Sequence, residues 1–153
     1  MAPTRARPRI GVMFLETQLD RSLMSERTQI RFMRELLGNF AWIDLIAKEV
    51  HSRSDLEKFL HIARTQGHVR AVHIVSHGEE TREASAIVLT EDEVVDLRHR
   101  DNRALFEDLD VETIFLSCCR LGEHREVMAR LLEVSGAVGS SPTPKTWPTT
   151  RRS

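Results

Sequence analysis

The sequence predicts an α/β fold, a mainly parallel sheet flanked by helices, and three observations carry that expectation. Short runs at residues 9–15 (RIGVMFL), 69–76 (VRAVHIVS) and 113–118 (TIFLSC) are apolar on both faces of a strand, as in sheets covered on both sides. Segments with apolar residues at helical spacing lie between them, and strands separated by helices build a parallel sheet. The five prolines, Pro3, Pro8, Pro142, Pro144 and Pro148, all sit near the two ends, so the interior reads as one uninterrupted block.

The first strand is expected at residues 9–15, bounded by Pro8. Residues 25–37 carry Ile30, Met33 and Leu37 at helical spacing, with Phe32 and Leu36 widening the stripe and Gly38-Asn39 as a stop signal. A second strand follows at residues 42–50. Ser54 with Glu57 matches a capping box ahead of Leu56, Phe59, Leu60 and Ala63, which predicts a second helix. After the strand at 69–76, the branched runs 86–89 and 94–97 flank residues 90–93 and suggest a small hairpin. A short helix at 104–109, the strand at 113–118 and a helix at 124–134, with Val127, Leu131 and Val134 in phase, complete the pattern.

A chain of 153 residues is enough for a single core, and 41% hydrophobic with 29% charged residues places it among globular proteins. Lys and Arg number 22 against 23 Asp and Glu, a net charge of −1, so no bulk attraction to nucleic acid or an anionic membrane is expected. Cys118 and Cys119 are adjacent and cannot staple distant parts of a fold, which points to a reducing, cytoplasmic setting. The basic N-terminus leads only into a brief apolar run, too short for a span and without a cleavage pattern. The expected organisation is a flexible N-terminus at 1–8, one domain at 9–138 and a flexible Pro/Thr/Ser-rich tail at 139–153.

Functional residues of parallel sheets gather at the carboxyl ends of the strands. His77 directly follows the strand VHIVS and Cys119 follows IFLSC, 42 positions later. Adjacent parallel strands lie about 4.8 Å apart, so the two ends converge if these strands pair. A free thiol titrates near about 8.5 and the thiolate is the nucleophile, so an imidazole beside it has a chemical purpose. Gly78 allows a sharp turn that aims an amide N–H at the cleft, where with the amide of Cys119 it would form an oxyanion hole. Gly122 leaves room for the turn from strand to helix.

These segments, VHIVSHG at 72–78 and IFLSCCRLG at 114–122, resemble the caspase-like cysteine peptidases of clan CD, closest to their bacterial CHAT-domain branch. In that family a strand ending in His-Gly supplies the base, and a later strand ending in Leu-Ser-small-Cys, with Gly three residues on, supplies the nucleophile. The resemblance implies a caspase-like three-layer α/β/α fold over about residues 9–138, with His77 and Cys119 catalytic and the amides of Gly78 and Cys119 as the oxyanion hole. The family's sheet continues past the helix behind the nucleophile, whereas here only residues 135–138 precede the Pro-rich tail, so the C-terminal part is expected to be incomplete. The position two before the nucleophile is Ser117, as in the CHAT pattern, and names no substrate preference.

Side chains alternate along a strand, so Cys118 and Cys119 cannot both face the cleft. Cys118 shares parity with Ile114 and Leu116 and reads as a small core residue; Cys119 has Gly122 at the family's spacing. His73 shares parity with His77 but lies about 13 Å away along a strand, too far for one metal ion, and reads as a hydrogen-bonded sheet histidine. A zinc site from His77, Cys118, Cys119 and His124 lacks paired ligand spacing. Arg120, Glu123, His124 and Arg125 read as a solvated helix start, and no spacing singles out Asp44, Glu79 or Glu80 as a third member beside His77. Arg5, Arg7 and Arg9 read as a soluble end.

The expected function is therefore a cysteine endopeptidase, a hydrolase cleaving a protein substrate without metal or organic cofactor. The resemblance implies control by a regulatory protein or complex, with a role in bacterial defence or cell death, while the balanced charge and the lack of a spanning run leave no nucleic-acid or membrane partner expected. The competing expectation is a catalytically inactive module of the same fold, or a truncated domain completed by a partner.

Overall fold

A computed structural model of the chain describes residues 8–17, 29–76, 85–118, 121 and 124–137, and the backbone of 139–142. In chain order the elements are β1 (Ile10–Thr17), α1 (Gln29–Leu37), β2 (Ile43–Val50), α2 (Arg53–Thr65), β3 (Val69–Ser76), β4 (Ala86–Val88) and β5 (Val94–Asp96). There follow α3 (Arg100–Arg103), a 3-10 turn (Ala104–Phe106), β6 (Thr113–Cys118), α4 (Arg125–Ser135) and β7 (Gly139–Pro142). Five strands form one parallel sheet in the order β2-β1-β3-β6-β7, and β4 pairs with β5 as a separate antiparallel hairpin. The predicted α/β class is the observed one.

The pleat divides the strand residues between two cores. Met13 and Leu15, Val72 and Ile74, and Ile114 and Leu116 pack on one face against Leu56, Leu60 and Ala63 of α2 and Met128 and Leu131 of α4. The hairpin adds Ile87 and Val95 to that core, and the 3-10 turn adds Phe106. Phe14, Ala47 and Val75 point the other way and meet Ile30 of α1. Right-handed crossovers account for the split: the chain moves outward once, from β1 to β2, and in the opposite direction at every later crossover. Three layers result, with α1 on one face and α2 and α4 on the other.

Local chemistry fixes the helix ends. The carboxylate of the buried Glu16, the penultimate residue of β1, accepts hydrogen bonds from the N–H groups of Gln29 (2.7 Å) and Ile30 (3.0 Å), so a strand residue caps α1. At the other end the Gly38 N–H donates to Arg34 O at 2.9 Å, and a Cβ at Gly38 would collide with that carbonyl. Gly136 closes α4 in the left-handed conformation at φ 69°, donating its N–H to Leu132 O.

Three expectations change. The cap of α2 is Ser52, whose Oγ accepts the Asp55 N–H at 3.1 Å, and not Ser54, which already lies inside the first helical turn. The helix expected at 104–109 is displaced: α3 occupies Arg100–Arg103, the chain tightens into the 3-10 turn, and left-handed backbone at Asp108 (φ 52°) forbids a longer helix. Residues 139–142, assigned from sequence to the flexible tail, are strand β7, paired with β6 from Thr113↔Gly139 to Leu116↔Pro142. The parallel sheet thus extends past residue 138.

Candidate functional site

The convergence expected of the two reactive segments depends on β3 and β6 being neighbours, and they are. Their parallel ladder runs from Ala71↔Thr113 to Ser76↔Cys118, so both strands end at one level. The chain continues to positions 77 and 119 from two paired residues on adjacent strands, about 4.8 Å apart. His77, Gly78 and Cys119 themselves lie outside the described residues, as do Glu79, Glu80, Arg120, Gly122 and Glu123.

The residues that close these strands are well defined. Cys118 is buried among the larger core cluster, in phase with Ile114 and Leu116, as strand parity requires of a packing residue. The Ser76 hydroxyl donates to Val88 O at 2.7 Å, which fastens β4 of the hairpin to the end of β3. The open end of the hairpin is closed by the Leu97 N–H, which donates to Ser85 O at 2.8 Å and joins its two strands. Two buried hydroxyls, Thr17 Oγ1 at the end of β1 and Ser85 Oγ before β4, have no hydrogen-bond partner among the described residues.

On the opposite face of the same two strands, His73 Nε2 and the Ser117 hydroxyl share a hydrogen bond of 2.7 Å. Phe14 meets the imidazole edge-on, with centroids 5.1 Å apart and planes at 87°, and Phe115 lies tilted at 5.8 Å. Burial holds the His73 pKa below its ordinary value, so the ring is neutral at pH 7. His73 is the hydrogen-bonded sheet histidine expected from sequence. Its partner could not be read there, because the diagonal from His73 to Ser117 exists only in this register, with His73 opposite Phe115.

The remaining candidates are spread over the molecule. Asp44 sits near the amino end of β2, opposite Gly11, and its carboxylate bonds His68 Nε2 at 2.7 Å, so it is engaged at the far end of the sheet from Ser76 and Cys118. His124 is half-buried just before α4, its backbone N–H donating to Leu121 O at 3.2 Å, and Arg125 is exposed on the first turn. Among the described residues no three His, Cys, Asp or Glu side chains group as metal ligands, and no helix is long and apolar enough to cross a membrane. Glu16 was not foreseen from sequence, although a carboxylate ending an apolar strand just ahead of a helix is a usable signal for a cap.

No protein-family profile matches the chain, and no curated protein matches it.

Proposed function

We propose that the chain is a caspase-like, CHAT-type cysteine endopeptidase that cleaves a protein substrate through His77 and Cys119. The observation that supports this most is the in-register pairing of Ser76 with Cys118, because the dyad requires adjacent strands that end at one level. The burial of Cys118 supports Cys119 as the nucleophile, since successive strand residues face opposite ways.

In this reading His77 takes the thiol proton and Cys119 Sγ attacks the scissile carbonyl carbon. The amides of Gly78 and Cys119 hold the developing oxyanion. As the C–N bond breaks, His77 returns the proton to the leaving amine, and the N-terminal product stays as a thioester. Water, deprotonated by His77, then attacks the thioester; the acid departs and the thiol regains its proton. The enzyme would be cytoplasmic and held in check by a regulatory protein or complex, in a setting such as bacterial defence or cell death.

The test is alkylation by iodoacetamide across pH, with labelled sites read by mass spectrometry in the parent, Cys119→Ala and His77→Ala. We expect rapid labelling of Cys119 below pH 7 that slows in His77→Ala, with the buried Cys118 labelling slowly throughout. A Cys119 profile centred on the ordinary thiol value near about 8.5 and indifferent to His77 would overturn the dyad. The fold would then stand as a catalytically inactive interaction module.

A further inference from the structure

The outer side of α1 is built unlike that of a helix facing only water. Ile30 is buried, with Met33 and Leu37 partly buried beside it, yet Phe32 and Leu36, one turn apart on the outer side, are 61% and 46% exposed. Past the helix end the exposed rings of Phe40 and Trp42 pack on each other with centroids 5.7 Å apart. A second row runs beside Phe32 and Leu36: Arg31 and Glu35, joined at 3.2 Å and both largely exposed.

We propose that this face binds the same face of a second copy of the chain, with the two α1 helices antiparallel. Charge order selects that occupant. A twofold axis across two antiparallel helices brings each flank against its own counterpart with the direction reversed. Phe32 of one copy then meets Leu36 of the other, while each Arg31 lies against the other copy's Glu35. Both matches use a spacing of four residues, about 6 Å along the axis; their midpoints differ by one residue, so the long Arg31 and Glu35 side chains span a stagger of about 3 Å when Phe32 and Leu36 meet. A parallel arrangement would instead carry the two charged rows to opposite sides of the seam, where neither meets its counterpart. The exposed parts of the four apolar side chains amount to about 400 Å² per copy, about 800 Å² in all, and the charged row adds a rim, which places the dimer among weak, reversible associations below the standard interface size.

Sedimentation velocity of the full chain over roughly 1 to 200 µM tests this. The expected result is a shift from monomer to twice that mass with rising concentration. Arg31→Glu, which sets like charges together, weakens association about tenfold, and the double swap Arg31→Glu with Glu35→Arg restores it. Phe32→Asp abolishes the dimer while circular dichroism stays that of the parent. A chain that is monomeric throughout, a Phe32→Asp variant that still dimerises, or a swap that fails to restore association would overturn the proposal.

Discussion

Glu16 couples the sheet to α1, the only helix among the described residues on that face, and replacing it should loosen that layer alone. Both carboxylate oxygens are used, on the N–H groups of Gln29 and Ile30, in a side chain only 3% exposed. Glu16→Gln keeps one acceptor but turns an NH₂ toward the other donor, so it loses one charge-assisted bond, about 1.5–3 kcal/mol, and leaves a buried N–H unsatisfied. It also removes the negative charge at the positive end of the helix dipole, about 0.3–1 kcal/mol. Together these predict a loss of about 2–4 kcal/mol, or roughly 5–15 °C in Tm for a chain of this size. Urea unfolding followed by circular dichroism measures the loss, and hydrogen exchange should show α1 amides opening while those of α2 and α4 hold. A Glu16→Gln variant within about 0.5 kcal/mol of the parent would refute the assignment of Glu16 as the cap.

Two further outcomes follow from buried polar groups. His73 has a folded pKa below its ordinary 6.5, so between the two values the unfolded chain binds the extra proton; its contribution to stability is whole above about 6.5 and is lost as pH falls. The drop in Tm from pH 7.5 to pH 5 should therefore be smaller in His73→Gln than in the parent, and equal drops would refute it. Thr17→Val removes a buried hydroxyl without a partner at nearly constant shape, and should raise stability by up to about 1 kcal/mol in thermal unfolding; a loss would mean the hydroxyl is bonded in solution.

The strands that carry the candidate site were the most legible parts of the sequence. Residues 69–76 and 113–118 were read with their observed bounds because a strand covered on both faces has to be apolar at nearly every position. That they are neighbours was a condition of the chemistry, not a reading, since pairing between distant strands leaves no local trace. The misplaced elements are those whose cause is not side-chain patterning. β7, GSSP, has no branched or aromatic residue and is held through its backbone by β6, so nothing marked it as strand. The shift from Ser54 to Ser52 is a two-residue error among closely spaced serines, and the short helix was displaced by left-handed backbone at Asp108 that composition does not announce. Sequence alone places Ser117 two residues before Cys119, but its bond to His73 depends on the register of β3 against β6.

The pairing of β3 with β6 also bears on the order in which the chain matures. The two strands are separated by the hairpin, α3 and the 3-10 turn, so their contact closes a long loop and comes late relative to local structure. As the chain leaves the ribosome, β1, β2 and β3 emerge well before β6, and His77 emerges well before Cys119. Any chemistry that needs both strand ends is absent from nascent and partly folded forms and begins only when the sheet is assembled. A protease built this way would protect the machinery that makes it simply by the order of its strands.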